Sequence, residues 1–247
     1  MNDITRTFRF PALLMTFCLL AGLSAACESE DDDCYHGSGI LETYEVELED
    51  FSELRISGSA DVFIRQSDTT SLRVTTDDNL FEHYKFKFKK DELHITSEEG
   101  CISSDHPLHV VLTIDDLDLI TLTGSSSLTS IDTLKFDDLQ LVVTGTADIN
   151  VDMINDELES TISGNADVEL AGSCGVHTVR VRGNASIDAE DYETERTIID
   201  ISGNANCRVW ATDELDVKIS GTGNVAYRGN PLVDSDISGA GNLTRIP

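Results

Sequence analysis

A short phrase that opens with glycine returns six times between residues 145 and 242, and it constrains the fold more than any other feature. The phrase reads GTAD, GNAD, GNAS, GNAN, GTGN and GAGN, and its glycines are separated by 19, 19, 20, 18 and 18 residues. A degenerate copy, GSSS, and an outlying first copy, GSAD, lie upstream. Internal repeats of this length are typical of stacked-repeat proteins. The opening glycines, with the two upstream ones, are Gly58, Gly124, Gly145, Gly164, Gly183, Gly203, Gly221 and Gly239.

Side chains on either side of each glycine alternate between apolar and polar. The position two residues before the glycine is always aliphatic, as at Ile162, and the position two residues after it is always small, as at Ala166. The odd-numbered offsets are mostly polar, as at Ser163 and Asp167. A period of two with β-branched residues on one side predicts strands rather than helices. Each repeat should therefore contain a strand, a glycine corner, a second strand and a turn.

A repeat of this kind cannot bury its apolar row alone, whereas stacking it on a copy of itself does. Equivalent strands of successive rungs would pair in parallel about 4.8 Å apart. The predicted fold is therefore all-β, a single-domain parallel β-helix or β-solenoid with rungs of about 18–21 residues. We expect glycine at the corner because it tolerates backbone angles that other residues resist.

The chain has 247 residues and a formal net charge of −29, which limits the partners it can bind. Loss of residues 1–26 would remove Arg6, Arg9 and Asp3, so the mature chain would carry −30. A field of this sign disfavours nucleic acid and anionic lipid surfaces as partners. It permits attraction of divalent cations without specifying any.

The first 26 residues have the pattern of a bacterial export signal. Arg6 and Arg9 supply a positively charged start, and an apolar run follows from residue 11 to residue 26. A run of this length is short for a membrane span and matches the core of a signal peptide. The run ends in Leu-Ser-Ala-Ala before Cys27, which resembles a lipobox, so Cys27 is predicted to carry a lipid anchor. An ordinary signal peptide that is cut after Ala26 is the alternative.

An acidic segment, Glu-Ser-Glu-Asp-Asp-Asp, follows Cys27 directly. Such a charge run is usually a solvated tether. It also resembles the acidic export signal with which Bacteroidetes-type bacteria send lipoproteins to the cell surface. Both interpretations remain open at this point.

The remaining cysteines favour a disulfide. Cys18 leaves with the signal and Cys27 is the predicted lipid site, so Cys34, Cys101, Cys174 and Cys207 remain. An even number in an exported chain favours disulfides. Cys34 lies in the tether and Cys101 in a loop, so this pair is the favoured one. Cys207 falls on an inward position and fits a buried free thiol equally well.

We predict one domain that follows a signal and a linker. The signal peptide covers residues 1–26, the acidic linker 27–43 and the solenoid head 44–247, divided into N-terminal strands with a cap at 44–122 and regular repeats at 123–247. The residues between Gly58 and Gly124 have the pattern of hairpins with few glycine corners. We expect them to form a hairpin-rich cap, because solenoids need atypical terminal units.

With these phrases in view, the chain resembles a known family, the auto-transporter adhesin head domain, also called the GIN domain. The resemblance rests on the opening phrase at 54–62, on the recurring Ile-Ser-Gly-Asn-Ala phrases, and on the closing phrases at 227–231 and 238–241. It covers about residues 51–246. The resemblance implies a β-helical exported bacterial protein, often a lipoprotein, and it transfers no catalytic residues to this chain.

Asp148 and Asp167 occupy the same outward position on adjacent rungs and are weak candidates for a cation site. A ladder of such oxygens could hold a hard cation such as Ca²⁺. The glycine-aspartate nonapeptide of calcium-binding β-rolls does not occur in the sequence. The favoured interpretation is a stack of polar residues that bond to one another, with no metal and no cofactor.

Two charged patterns have structural explanations. One column of positions alternates in sign and contains Arg180, Asp200, Lys218 and Asp236. This alternation predicts cross-strand ion pairs rather than a binding stripe. Residues 84–90 alternate aromatic residues with lysine, as a polyanion-binding surface would. On so acidic a chain we interpret them as a half-buried strand whose lysines protect a sheet edge.

The sequence has no pattern typical of a catalytic site. Its six histidines lack metal-ligand spacing, His177 falls on an inward position, and no nucleophile elbow, HExxH or phosphate loop occurs. Parallel β-helices include polysaccharide lyases, so the fold alone does not decide the function. The outward face offers Ser, Thr and Asn, whereas lyase chemistry needs clustered acid, base and cation groups.

The first functional hypothesis is a non-enzymatic, lipid-anchored protein of the bacterial outer membrane. It would display a rigid solenoid, exposed at the cell surface, for contact with a surface, a glycan or a protein. The second hypothesis is a structural or scaffolding lipoprotein that faces the periplasm. A carbohydrate-active enzyme is the third.

Overall fold

Parallel strands stacked into a β-solenoid of about seven turns form most of the protein, and strands account for 75% of the residues that the structure describes. The computed structural model describes residues 34–97 and 101–247. Within these ranges the only helical segment is a short 3₁₀ turn at Phe81–His83. In the same part of the chain no helix is long and apolar enough to cross a bilayer. The predicted all-β solenoid is confirmed.

The strands follow one another with short connections. They are β1 (Cys34–His36), β2 (Leu41–Val46), β3 (Glu53–Ser57), β4 (Ser59–Gln66), β5 (Ser71–Asp77), β6 (Tyr84–Lys89), β7 (Glu92–Ser97), β8 (Cys101–Ser103), β9 (Leu108–Ile114), β10 (Leu119–Leu122), β11 (Ser125–Ser130), β12 (Leu134–Val143), β13 (Thr146–Ile162), β14 (Asn165–Val181), β15 (Asn184–Ile201), β16 (Asn204–Ile219), β17 (Thr222–Arg228), β18 (Leu232–Ile237) and β19 (Ala240–Arg245). Strands β13 to β16 are 16–18 residues long because each continues from one rung into the next.

Equivalent positions of successive rungs lie opposite each other in parallel register. The small residue two positions after the corner glycine forms one such column, which contains Ala147, Ala166, Ala185, Ala205 and Gly223. The aliphatic residue two positions further forms the next inward column, where Ile149, Val168 and Ile187 are at most 3% exposed. Burial of a side chain of this size contributes about 1.5–3 kcal/mol. The stack thus buries an apolar row that a single rung would leave in water.

The order of rungs at the N-terminal end differs from the order along the chain. Strand β3 pairs with β7 and with β10, and β4 pairs with β9 and with β11, all in parallel. The rung of Gly58 therefore lies between a later rung, built from β7 and β9, and the rung of Gly124. Antiparallel pairs of β2 with β5, β5 with β9 and β6 with β7 close this end. The predicted hairpin-rich cap is confirmed.

A disulfide and a buried carboxylate fasten the N-terminal arm to the cap. Cys34 is bonded to Cys101, and β1 pairs with β8 beside this bond. Asp77, 1% exposed, accepts hydrogen bonds from the Ser104 hydroxyl and from the N–H of Gly39 at 2.6 Å. The Ser104 bond is the largest cause that lowers the pKa of Asp77. Strand β1 and the start of β2 lie within the segment that the sequence analysis assigned to the linker.

The C-terminal end of the stack is open. Strand β18 pairs with β16, and all six residues of β18 are exposed. Val233 and Ile237 are 42% and 38% exposed, although their partners Leu215 and Ile219 on the preceding rung are fully buried. Leu232 is 78% exposed. The last rung therefore leaves core-facing positions in water.

Candidate functional site

The corner glycines bring successive rungs into close backbone contact. A Cβ atom added at any of the seven corners from Gly124 to Gly239 would lie closer than 3.0 Å to the carbonyl oxygen of the preceding corner glycine. The residue after each glycine donates its N–H to that same oxygen, as Asn165 does to Gly145 at 2.9 Å. Close stacking therefore requires glycine here. The unusual backbone angle that we expected occurs at Gly58 alone of the eight corners, with φ at +121°.

A shallow polar groove runs along the stack beside these corners. Its volume is about 670 Å³, and it extends from the rung of Gly58 to the rung of Gly203. Side chains one and three residues after each glycine point outward along it, whereas the small residue between them is buried. The lining residues are Ser59, Asp61, Pro107, Ser125, Ser126, Ser127, Thr146, Ala147, Asp148, Asn165, Ala166, Asp167, Asn184, Ala185, Ser186 and Asn204.

Side chains within the groove bond to each other from rung to rung. The Ser127 hydroxyl donates to Asp61 Oδ1 at 2.7 Å, and Asn184 Nδ2 donates to Asn165 Oδ1 at 2.9 Å. An amide side chain has two N–H donors and an oxygen that accepts two hydrogen bonds. Donors and acceptors that these bonds do not use therefore remain available for a ligand. The groove thus presents hydroxyls, amides and carboxylates in rows at the strand spacing.

The two aspartates considered as cation ligands are neighbours in this groove. Asp148 lies opposite Asp167 in the register of β13 and β14, and Ser127 separates Asp148 from Asp61. Calcium takes about six to eight oxygen ligands. In residues 34–97 and 101–247 no three His, Cys, Asp or Glu side chains are grouped to hold a metal ion. The geometry is that of a polar ladder with two adjacent carboxylates.

The five cysteines that follow the predicted signal core divide into three groups. Cys27, the predicted lipid site, lies outside the described residues. Cys34 and Cys101 form the disulfide of the cap. Cys174 and Cys207 are free and buried. Burial raises the pKa of the Cys207 thiol to about 12, which makes its reactive thiolate scarce at neutral pH.

The column of alternating charges forms in register, but its members do not pair with each other. Arg180 lies opposite Asp200, and Lys218 lies between Asp200 and Asp236. Arg180 instead pairs with Glu159 of the preceding rung. Among the described residues no ion pair within 4.0 Å joins two members of the column. The predicted ladder of ion pairs is wrong in this respect, and exposed pairs would contribute at most about 1 kcal/mol each.

The lysine-rich strand β6 is half-buried. Phe86 and Phe88 pack against the core, whereas Lys87 and Lys89 are exposed. The strand pairs with β7 in the cap. This arrangement agrees with the structural interpretation of residues 84–90.

A buried polar cluster that the sequence pattern did not predict links β13, β14 and β15. The fully buried Tyr192 donates its hydroxyl to Asn155 and lies beside the Cys174 thiol. His177, 1% exposed, bonds through Nε2 to the Ser160 hydroxyl at 3.2 Å and packs edge-on against Tyr192. Burial lowers the pKa of His177 to about 4. The sequence signals were the inward position of His177, noted above, and polar residues such as Ser160 on mostly aliphatic columns.

Comparison with known proteins decides the family of this chain. The family described as "Putative auto-transporter adhesin, head GIN domain" matches residues 50–231. The chain belongs to this family. The match begins just before β3 and ends before β18, so the last rung of this GIN-domain protein lies beyond it.

Solved structures share the fold of this GIN-domain protein. A putative adhesin from Bacteroides fragilis NCTC 9343 is 20% identical with a TM-score of 0.79, over 86% of this chain and 100% of its own. A putative adhesin from Parabacteroides merdae ATCC 43184 is 21% identical with a TM-score of 0.68, over 87% and 100%. A putative lipid binding protein from Parabacteroides distasonis ATCC 8503 is 21% identical with a TM-score of 0.67, over 86% and 99%. Among curated proteins, no match was found.

Proposed function

We propose that this GIN-domain protein is a non-enzymatic envelope lipoprotein that holds an extended glycan in its polar groove. The observation that carries the proposal is the groove itself, an open channel of about 670 Å³ with repeating hydroxyl, amide and carboxylate groups. Rungs repeat these groups about every 4.8 Å, so a linear ligand meets equivalent partners several times. The adhesin names of the family and of its solved relatives agree with such a role.

The groove suits a glycan better than an added peptide strand. A peptide strand binds through the free backbone groups of a sheet edge. The backbone beneath this groove is already paired with the rungs on both sides, as β14 is with β13 and β15. Only side chains are offered, and hydroxyl-rich ligands bond well to hydroxyls, amides and carboxylates.

The stack also prepares the groove for binding. Parallel pairing on both sides fixes the backbone of each lining segment, and glycine corners hold the rungs close together. A site that is already ordered loses less entropy when a ligand binds. Weak single contacts, repeated along the stack, can then sum to useful affinity.

A binding role accounts for the groove better than catalysis does. Acid–base catalysis needs proton donors and acceptors placed on both sides of a bond. Glycoside hydrolysis uses two carboxylates that flank the scissile bond. The three aspartates of the lining, Asp61, Asp148 and Asp167, instead lie in one column of the register and so on one side of a bound chain. If an Asp148→Asn/Asp167→Asn protein and its parent both leave a bound polysaccharide intact, the non-enzymatic assignment stands. Turnover by the parent that the double variant loses would contradict it.

A variant that fills the groove tests the binding role directly. Ser186→Arg places a long side chain in the groove, whereas Asn224→Arg places the same side chain in the same column beyond it. Both positions are exposed, so both variants should fold. In a glycan-array measurement we expect Ser186→Arg to lose binding and Asn224→Arg to keep it. Equal binding by both variants would remove the groove from the function.

The lipid anchor at Cys27 and the outer-membrane location form the second part of the proposal. Labelling with a fatty-acid analogue should mark the parent chain and leave Cys27→Ala unmarked. Protease added to intact cells should destroy the solenoid while a periplasmic control protein survives. Protection of the solenoid until lysis would contradict surface display and favour a scaffold that faces the periplasm.

A further inference from the structure

A second groove, near the C-terminal end of the stack, differs in charge from the rest of the molecule. Its volume is about 570 Å³, and its lining residues are Trp210, Arg228, Gly229, Asn230, Arg245, Ile246 and Pro247. Two of these residues are arginines and none is an aspartate or glutamate, although the chain carries a net charge of −29. The side chains that line this groove therefore carry only positive charge, on a strongly acidic protein.

An aromatic ring holds one of the arginines in place. The register of β16 and β17 sets Arg228 beside Trp210, and the guanidinium carbon lies 4.0 Å from the ring centroid. Its Nη1 donates to the backbone carbonyl of Glu190 at 3.4 Å. The next residue, Gly229, has φ at +103°, and a Cβ there would collide with the Ala211 carbonyl oxygen. A guanidinium has five N–H donors, so most of them remain for a ligand.

In the part of the chain that the structure describes, five arginines pair with carboxylates, whereas the two in this groove do not. Within 4.0 Å of an aspartate or glutamate lie Arg55, Arg65, Arg180, Arg196 and Arg208. Among the described residues no such partner lies within that distance of Arg228 or Arg245. Two guanidiniums that line one groove repel each other, and a bound anion would relieve this repulsion.

We propose that this groove binds the carboxylate or sulfate group of an acidic saccharide. A guanidinium offers two parallel N–H donors that match the oxygens of such a group. The exposed Asn230 amide can bond to a neighbouring sugar hydroxyl, and the rings of Trp210 and Pro247 supply apolar surface for the sugar. The site is separate from the polar groove and does not depend on the function proposed there.

Tryptophan fluorescence reports on this groove directly, because Trp210 is the only tryptophan in the chain. The protein used is the mature chain with a neutral Gly-Ser extension after Pro247. It is titrated with three probes: tetragalacturonate, a sulfated tetrasaccharide and neutral maltotetraose. We expect a saturable change in emission with at least one acidic probe and none with the neutral one. A response to tetragalacturonate alone identifies a carboxylate ligand, and a response to the sulfated probe alone identifies a sulfate ligand.

Three variants decide whether the arginines are responsible. Arg245→Gln should weaken binding about tenfold or more because a charge-assisted hydrogen bond is lost. Arg228→Lys should weaken it by a similar factor because lysine lacks the forked pair of N–H donors. Arg182→Gln removes an arginine that lies outside the groove and that, within residues 34–97 and 101–247, also has no carboxylate within 4.0 Å; this variant should bind as the parent does. Unchanged thermal melting of the variants shows that they fold.

The proposal is overturned if neither acidic probe gives a saturable response. It is also overturned if Arg182→Gln weakens binding as much as Arg245→Gln, or if Arg228→Lys binds as tightly as the parent. An acidic peptide of equal charge that binds as tightly as the best saccharide would overturn the saccharide class. The Ser186→Arg variant of the polar groove should leave this binding unchanged, which separates the two sites.

Discussion

One added methyl group at a corner should be enough to disturb the stack. Gly164→Ala would place a Cβ closer than 3.0 Å to the Gly145 carbonyl oxygen, and that oxygen accepts the N–H of Asn165 at 2.9 Å. The rungs would have to separate, so we expect the free energy of unfolding to fall by at least about 2 kcal/mol. Urea denaturation measures the loss. Asn165→Ala, on the next and exposed residue, is the control and should cost well under half as much.

Among the histidines, His177 has the largest effect on how stability depends on pH, and burial also lowers the pKa of His94. Burial lowers the pKa of His177 to about 4, whereas the unfolded chain has the ordinary value of about 6.5. The unfolded state therefore binds more protons between these values, and stability falls as the pH drops from about 6.5 to about 4 by roughly 3 kcal/mol. The pKa of Asp77 is also lowered, so the stability that its carboxylate contributes is lost only at still lower pH.

Replacing the buried His177 tests this effect. In His177→Gln the slope of unfolding free energy against pH between about 4 and 6.5 should become flatter. His36→Gln, at an exposed position, should keep the parent slope. Parallel curves for the parent and His177→Gln would show that the histidine does not set this window.

At the scale of elements, the buried cluster makes strands β13, β14 and β15 depend on each other. Tyr192→Phe removes the hydroxyl that bonds to Asn155, whose Nδ2 already lacks a hydrogen-bond partner. A buried amide without partners costs about 1–3 kcal/mol, and we expect a loss of that size in urea denaturation.

A second substitution separates hydrogen bonding from packing at the same place. Asn155→Leu in the Tyr192→Phe background removes the unsatisfied amide at similar volume, so most of the lost stability should return. If the double variant is less stable than Tyr192→Phe alone, the cluster acts through shape and not through its hydrogen bonds.

At the scale of the whole molecule, the disulfide determines which part of the stack bears a load. Cys34 and Cys101 are 67 residues apart in sequence, and the chain between them forms β2 to β7. Force applied at residue 34 passes through the bond to residue 101, so these strands are bypassed. In single-molecule pulling between residue 34 and the C-terminus, reduction should add roughly 24 nm of released contour length. Equal contour lengths before and after reduction would contradict this load path.

The two ends of the molecule differ in ways that matter for its proposed roles. The N-terminal end is closed by antiparallel strands and contains the arm at Cys34. The C-terminal end leaves Val233 and Ile237 in water and has the guanidinium groove nearby. The polar groove runs along the rungs that lie between these two ends. A protein fixed at its capped end would thus present its binding surfaces along its side and near its far end.

The sequence alone determined the structure of a single rung and the fact that rungs stack on one another. The glycine period, the inward alternation at positions such as Ile162 and Val168, and the small residue at Ala166 repeat locally, and each rung meets a copy of itself. Stacking therefore follows from the repeat without knowledge of distant contacts. The favoured pairing of Cys34 with Cys101 followed from their places in the tether and a loop, and the structure joins them.

Only the tertiary structure decided what depends on neighbouring rungs. The insertion of the Gly58 rung between β7 and β10 is a choice of stacking order, which the sequence period does not encode. From Gly124 to Gly239, glycine is required at the corners because the backbone of the preceding rung lies too close for a Cβ atom, and not because of the corner's own backbone angles. The meeting of Tyr192 with Asn155, and of Arg228 with Trp210, joins residues whose types are ordinary in isolation. Their chemistry arises because stacking sets side chains from different rungs within bonding distance.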